Sequence, residues 1–330
     1  MRDGHESPTS AGSPSRSSPS SKQNRFVHRH LVFALFLVAT IFIFRTPLKS
    51  LLSFSRAQDY ASHIIFIAPI SAYLIYLRRR TIFSVTGTGL LTGSIFFLSG
   101  TILWYFAGKY ANSSEYELSL LTLAIILVWI SGFAFCYGAR AFETARFPLL
   151  FLLLLVPIPQ IAADKIIFFL RAGSAGVAYG LLRLFSVPVW KQGFIMHLPT
   201  LEIEVAKQCS GIRSSVALLI TVLIVGYFGL RTAWRRALLA VAIVPILILK
   251  NGARIVAVCL LSIYVNRGFL HGWLHTSGGV VFYLLGLAIL IPILVALRKS
   301  ENRNLAHHAA QQPDKMSKLV IEDKTVTHSK

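Results

Sequence analysis

Three short polar stretches interrupt a chain otherwise dominated by apolar residues: Cys209-Ser210-Gly211-Ile212-Arg213-Ser214, Lys250-Asn251-Gly252-Ala253-Arg254-Ile255 and His271-Gly272-Trp273-Leu274-His275-Thr276. Together they hold a thiol, a guanidinium and an imidazole, the groups needed for acyl transfer through a covalent intermediate. A free thiol ionises near pH 8.5, and the thiolate is the nucleophile. A helix N-terminus and a neighbouring guanidinium both favour the anion. Cys209 has both in prospect, with Ser210 as an N-cap residue type and Arg213 one turn further on. Arg254 keeps its proton at physiological pH and can donate two hydrogen bonds to an oxyanion. His275 exchanges a proton near neutrality.

Plainer roles stand beside each of these. Cys209 is also the kind of residue that packs at a buried helix start. Arg254 also suits a structural arginine, paired or snorkelling to the interface. His275, like His271 four residues earlier, also suits an ordinary loop histidine. Asn251 fits an interhelical hydrogen bond better than a catalytic role. Arg213 and Lys250 read as supporting charges. Cys136 and Cys259 lie inside apolar runs as packing residues, and no CxxC pair or Cys/His cluster points to a metal or other cofactor.

The elements that must carry these groups are set by composition. Of 330 residues, 55% are hydrophobic and 14% charged, against about 25% charged in a soluble domain; mean hydropathy is +0.64. The length is best counted in membrane spans of about 20 apolar residues each. The net charge of +20, from 33 Lys and Arg against 13 Asp and Glu, raises the question of nucleic acid. That is set aside: the basic residues sit beside apolar runs, as membrane anchors do, and no basic-aromatic module remains once the spans are removed.

Apolar runs at approximately 31–44, 61–77, 89–107, 118–139, 147–163, 211–230, 237–262 and 278–297 predict about eight transmembrane helices, an all-α polytopic membrane protein. Residues 1–24 are rich in Ser and Pro and read as a disordered cytoplasmic tail, 25–298 as the transmembrane domain and 299–330 as a polar cytoplasmic tail. Run 31–44 has no small-residue cleavage site after it and reads as a retained anchor. Basic residues at 22–29, 78–80, 140/146, 231–236 and 298/299 all fall on the cytoplasmic side if the N-terminus does. That leaves 45–60, 108–117, 164–210 and 263–277 outside. The stretch 164–186 mixes Asp164, Lys165, Arg171 and Arg183 with apolar residues and is expected along the outer interface. Alternation in 189–206 reads as a short pair of strands just before Cys209.

Cys209-Ser210-Gly211-Ile212-Arg213-Ser214, then Asn251-x-x-Arg254-Ile255, then His275 with Gly278 and Gly279, resembles the exosortase/archaeosortase family. Asp59-Tyr60-Ala61-Ser62-His63 followed by Pro69 and the triple arginine, and Val156-Pro157-Ile158-Pro159, agree with it, so that the likeness runs over roughly 55–297 in the expected order. In place of the acidic residue that many relatives carry just before the cysteine stands Lys207-Gln208. The resemblance implies a membrane cysteine protease or transpeptidase of the bacterial inner membrane. Its Cys–Arg–His site would face outward and cleave the C-terminal sorting signals of exported proteins, each a short motif, a membrane helix and a basic tail. By position it implies Cys209 as nucleophile, Arg254 as oxyanion donor and His275 as proton shuttle. The competing reading is a non-enzymatic transporter or a scaffold for surface polysaccharide assembly; no internal repeat supports a transporter. The expected topology makes a prediction. A thiol reagent that cannot cross membranes should label Cys209 in intact cells and spare Cys136; labelling of Cys209 only after permeabilisation would invert the assignment.

Overall fold

The computed structural model describes residues 19–110, 114–198, 201–205, 212–265 and 279–310. It is helical apart from one small sheet, and its contacts divide it into two compact units, Met1–Ser50 with Pro69–Val156 and Leu51–Ala68 with Pro157–Lys330. Seven of the described helices are long and apolar enough to cross a membrane, and α1 (Pro19–Ile43) and α2 (Arg45–Ala57), parted by a sharp bend at Phe44, would together make an eighth. Many large apolar side chains on these helices point away from the protein, Leu91 at 77% and Leu184 at 76% exposure among them. Such faces are costly in water and at home in hydrocarbon.

Helices α3 (Ile64–Leu77) and α4 (Arg79–Ser84) come next in the chain, and α5 (Leu90–Tyr110) with α6 (Ser114–Tyr137) organises the first unit. With no hydrophobic drive between helices in lipid, small residues decide how closely they approach. A Cβ on Gly93 would fall 2.5 Å from the Phe135 ring, and one on Gly89 would meet the Ala134 carbonyl oxygen and the Gly138 Cα. Gly138, with φ of +95°, turns the chain from α6 into α7 (Ala139–Thr144). The core of this unit lies along α6: Ile125, Ile126, Ile130, Phe133 and Tyr137 are all buried. Tyr137 hydrogen-bonds to His30 of α1 at 2.8 Å, and Trp129 Nε1 donates to Thr40 Oγ1 at 3.1 Å.

One expected span is divided. The run 147–163 forms only a short apolar stretch, Arg146–Leu155, comprising α8 (Arg146–Phe151) and a 3₁₀ turn. The chain then breaks at Val156–Pro159 and starts again as α9 (Gln160–Leu184). Pro157 and Pro159 have no N–H to give to a continuing helix and force the preceding residues out of helical geometry. The segment expected to lie along the interface, 164–186, is therefore mostly part of a 25-residue helix long and apolar enough to cross.

The second unit packs α9 with α10 (Ile212–Gly229), α11 (Ala233–Tyr264) and α12 (Gly279–Ala310). Leu170, Leu218, Val222, Leu239, Ile243 and Leu290 form one core. Near the other end of α11, Ala178, Leu182, Ile255 and Cys259 join Met196 of the sheet and Val205 just beyond it in a second. Helix α9 ends in a Schellman turn: Ser186 adopts φ of +58°, its amide donates to Arg183, and the Val187 amide donates to Leu182. Pro188 follows and prevents continuation. Three antiparallel strands come next, β1 (Trp190–Gln192), β2 (Ile195–Leu198) and β3 (Leu201–Glu204), where the alternation suggested two. Gly193, at φ of +61°, supplies the first turn, and the fully buried Met196 sits opposite Lys191 and Ile203.

The turn joining α10 to α11 is locked by α12. Glu301 accepts from the amides of Arg231 and Thr232 at 2.9 and 2.8 Å and from Thr232 Oγ1 at 2.6 Å, and it pairs with Arg235 at 3.3 Å. The carboxylate thus satisfies amide groups at the start of α11, where Thr232 makes no side-chain cap of its own. Arg236 turns back to the Leu230 carbonyl at the end of α10.

Gly89→Ala should destabilise the protein by about 1–3 kcal/mol, because a backbone carbonyl cannot yield as a side chain can. Gly108→Ala, where nothing lies within 4 Å, should be neutral or gain up to about 1 kcal/mol. Unfolding of both variants in detergent measures the difference.

Candidate active site

Of the residues singled out from sequence, Arg213, Asn251 and Arg254 lie among those described. Cys209 and Ser210 (within 206–211) and His275 with His271 (within 266–278) lie outside them.

Helix α10 begins three residues after Cys209, and its first turn is held at two points. Arg213 pairs with Asp59, at the start of the 3₁₀ turn Asp59–Ala61. Both side chains are mostly exposed, at 67% and 60%, so the pair contributes at most about 1 kcal/mol. Next door, Tyr60 donates to Gln160 Oε1 at 3.0 Å, linking the same turn to the start of α9. The second point is buried. Lys250 of α11, 1% exposed, donates from Nζ to Ser214 Oγ. An ammonium within an apolar helix is retained only where acceptors meet it, and Ser214 is one of these acceptors.

That contact joins Ser214, the last residue of the first polar motif, to Lys250, the first residue of the second. Lys250 is followed by the buried Asn251 and lies one turn from the half-buried Arg254. Gly252, between them, is where α11 touches α9: a Cβ there would fall 2.6 Å from Val177 Cγ1 and 3.2 Å from the Ser174 carbonyl oxygen. The glycine and the neighbouring polar residues are thus two sides of one helix contact. Asp59 offsets Arg213, so the positive character of this region comes from Lys250, Arg254 and the partial charge of the α10 N-terminus.

The approach to Cys209 is anchored as well. Arg171 of α9 donates from Nε to the carbonyl of Val205, the residue after β3, and from a terminal nitrogen to Glu204 Oε1 at 3.0 Å. Its guanidinium lies 3.8 Å from the centre of the Phe194 ring. In the sequence Arg171 is one of four charged residues, with Asp164, Lys165 and Arg183, that suggest an interfacial helix over 164–186. A charge in the middle of a span-length helix was the available signal, but nothing local says what it reaches.

The transmembrane exosortase family matches residues 54–292 of this chain. The chain belongs to that family. No curated protein and no solved structure gives a match. The matched region of the exosortase begins near the end of α2 and ends within α12, and it includes Asp59, Arg171, Arg213, Lys250 and Arg254.

Removing the acceptor of a buried ammonium and breaking an exposed pair should differ in stability. Ser214→Ala is expected to lose about 1–3 kcal/mol and Asp59→Asn less than about 1 kcal/mol, measured as unfolding free energies in detergent.

Proposed function

We propose that this exosortase is a membrane-embedded cysteine transpeptidase or protease. It cleaves the C-terminal sorting signals of exported proteins at the outer face of a bacterial inner membrane. The observation that carries the reading is the Lys250–Ser214 hydrogen bond, because it joins the helix that follows Cys209 to the helix that bears Arg254. Ser214 closes the motif that opens with Cys209, and Lys250 opens the motif that contains Arg254.

In this reading the Cys209 thiolate attacks the scissile carbonyl, in the favourable field of the α10 N-terminus and Arg213. The carbonyl oxygen takes up the negative charge, and Arg254 stabilises it by hydrogen bonding. His275 gives a proton to the departing amine, the C–N bond breaks, and a thioester on Cys209 remains. An acceptor amine or water then attacks the thioester, His275 takes the proton released, and the thiolate is restored. Asn251, buried beside Lys250, helps hold α11 to its neighbours. The terminal segments 1–24 and 299–330 are assigned to the cytoplasm, flanking the transmembrane domain.

The test is co-expression with an exported protein whose C-terminus carries a short motif, an apolar helix and an arginine-rich tail, followed by immunoblotting for tail removal. Cys209→Ala, Arg254→Ala and His275→Ala should each leave the tail in place while the protein accumulates normally in the membrane. Processing by Cys209→Ala at the parental level would refute the enzyme and favour a scaffold or transporter.

A further inference from the structure

We infer that a cavity in the first unit, walled by α1, α3, α4 and α6, binds one anionic phospholipid. Its headgroup sits on Arg79 and Arg80, and the start of an acyl chain lies against aromatic rings. The site involves none of the residues proposed for thiol chemistry.

The cavity has a volume of about 640 Å³, within the range of about 300–1,000 Å³ in which proteins hold organic ligands. Its floor is aromatic and braced. Phe133 and Tyr137 of α6 are each 1% exposed. His30 of α1 hydrogen-bonds to the Tyr137 hydroxyl at 2.8 Å and meets Phe83 of α4 edge-on, with ring centres 4.7 Å apart. Phe83 and Tyr137 are themselves 4.7 Å apart. Rings tied to one another across three helices resist collapse into the space they line.

The mouth is basic. Helix α3 ends at Leu77, and α4 opens with Arg79 and Arg80, both exposed and both lining the cavity. Arg79 lies over the Tyr76 ring, 4.0 Å from its centre, and gives one N–H to the Tyr76 carbonyl at 3.0 Å. That contact orients the guanidinium and leaves other donors of its fork to a ligand. Among the described residues Arg80 has no hydrogen bond or ion pair, and no Asp or Glu lines the cavity.

Two guanidinium groups without a carboxylate, beside an apolar floor, complement a ligand that is anionic at one end and hydrocarbon at the other. A free phosphate would satisfy the arginines alone, and a zwitterionic lipid would bring its own cation to them. The arginine turn follows a span-length helix, and the topology read from the basic residues puts it at the cytoplasmic leaflet. Anionic lipids lie there, and basic pockets between helices hold their headgroups. The chain's own residues 1–18 are less complementary, with Arg2 and Arg16 against Asp3 and Glu6.

Full-length protein is immobilised in detergent, and retention of radiolabelled phosphatidylglycerol is measured against unlabelled competitors. One lipid should be retained per protein. Phosphatidylcholine should need about tenfold more than phosphatidylglycerol for half-displacement, and inorganic phosphate more than about a hundredfold. Arg80→Gln should weaken phosphatidylglycerol binding about tenfold. Arg45→Gln, which removes the same charge beyond the far end of α1, should stay within about twofold. Ala72→Phe keeps every charge but puts a ring into the cavity from α3, and should weaken binding about fivefold or more.

Equal displacement by phosphatidylcholine would overturn the anionic assignment, and equal displacement by inorganic phosphate would make this an ion site and overturn the lipid. Displacement by a peptide of residues 1–18 as effective as by the lipid would make the chain's own N-terminal stretch the occupant. Arg45→Gln as damaging as Arg80→Gln would reduce the effect to overall charge, and parental affinity in Ala72→Phe would place the lipid elsewhere; either result ends the proposal. Should Arg80→Gln fail to accumulate, Ala72→Phe decides by the same criterion.

Discussion

A charge carried inside an apolar helix must find partners within the protein, because hydrocarbon offers none. In the second unit this requirement sets much of the local order. Lys250 meets Ser214, Arg171 meets the end of the sheet, and Arg235 meets Glu301 at the start of α11. Each contact ties two elements whose apolar faces alone would leave them free to slide. Apolar packing in a membrane is permissive about register, since one leucine-rich face is much like another. A buried cation and its acceptor are not.

The same elements show how close approach and polarity cooperate. Gly252 lets α11 lie against α9, and its flanking residues Asn251 and Lys250 are buried as a result. At the far end of α11, Glu301 satisfies amides that the first turn of a helix always leaves over. Helix α11 is therefore fixed at its start by α12 and further along by α10 and α9, and Arg254 is carried on the fixed part. Strand β3 is fastened to α9 in turn, so the chain on both sides of the Cys209 segment is tied to the same group of helices.

Much of this was legible in the residues. The membrane class, the approximate spans and the polar motifs at 209–214 and 250–255 are local properties of composition and order, and the family likeness follows from the same motifs. Less legible were the break at Pro157 and Pro159 and the extent of α9. An apolar run and a mixed run looked like a span and an interfacial helix, whereas the prolines end the first early and the second continues for 25 residues. The third strand was hidden because strands of three and four residues show too little alternation to be counted.

What the sequence determined by itself is the solvent this chain is built for and the chemical groups it sets into that solvent, since hydropathy and side-chain chemistry are read one residue at a time. What only the tertiary structure decided is which groups meet. Arg213 and Asp59 are 154 residues apart, Glu301 and Thr232 69, Lys250 and Ser214 36, and Arg171 and Glu204 33. Such pairings depend on how helices are brought side by side, and no one-dimensional pattern of apolar and charged residues contains that distance.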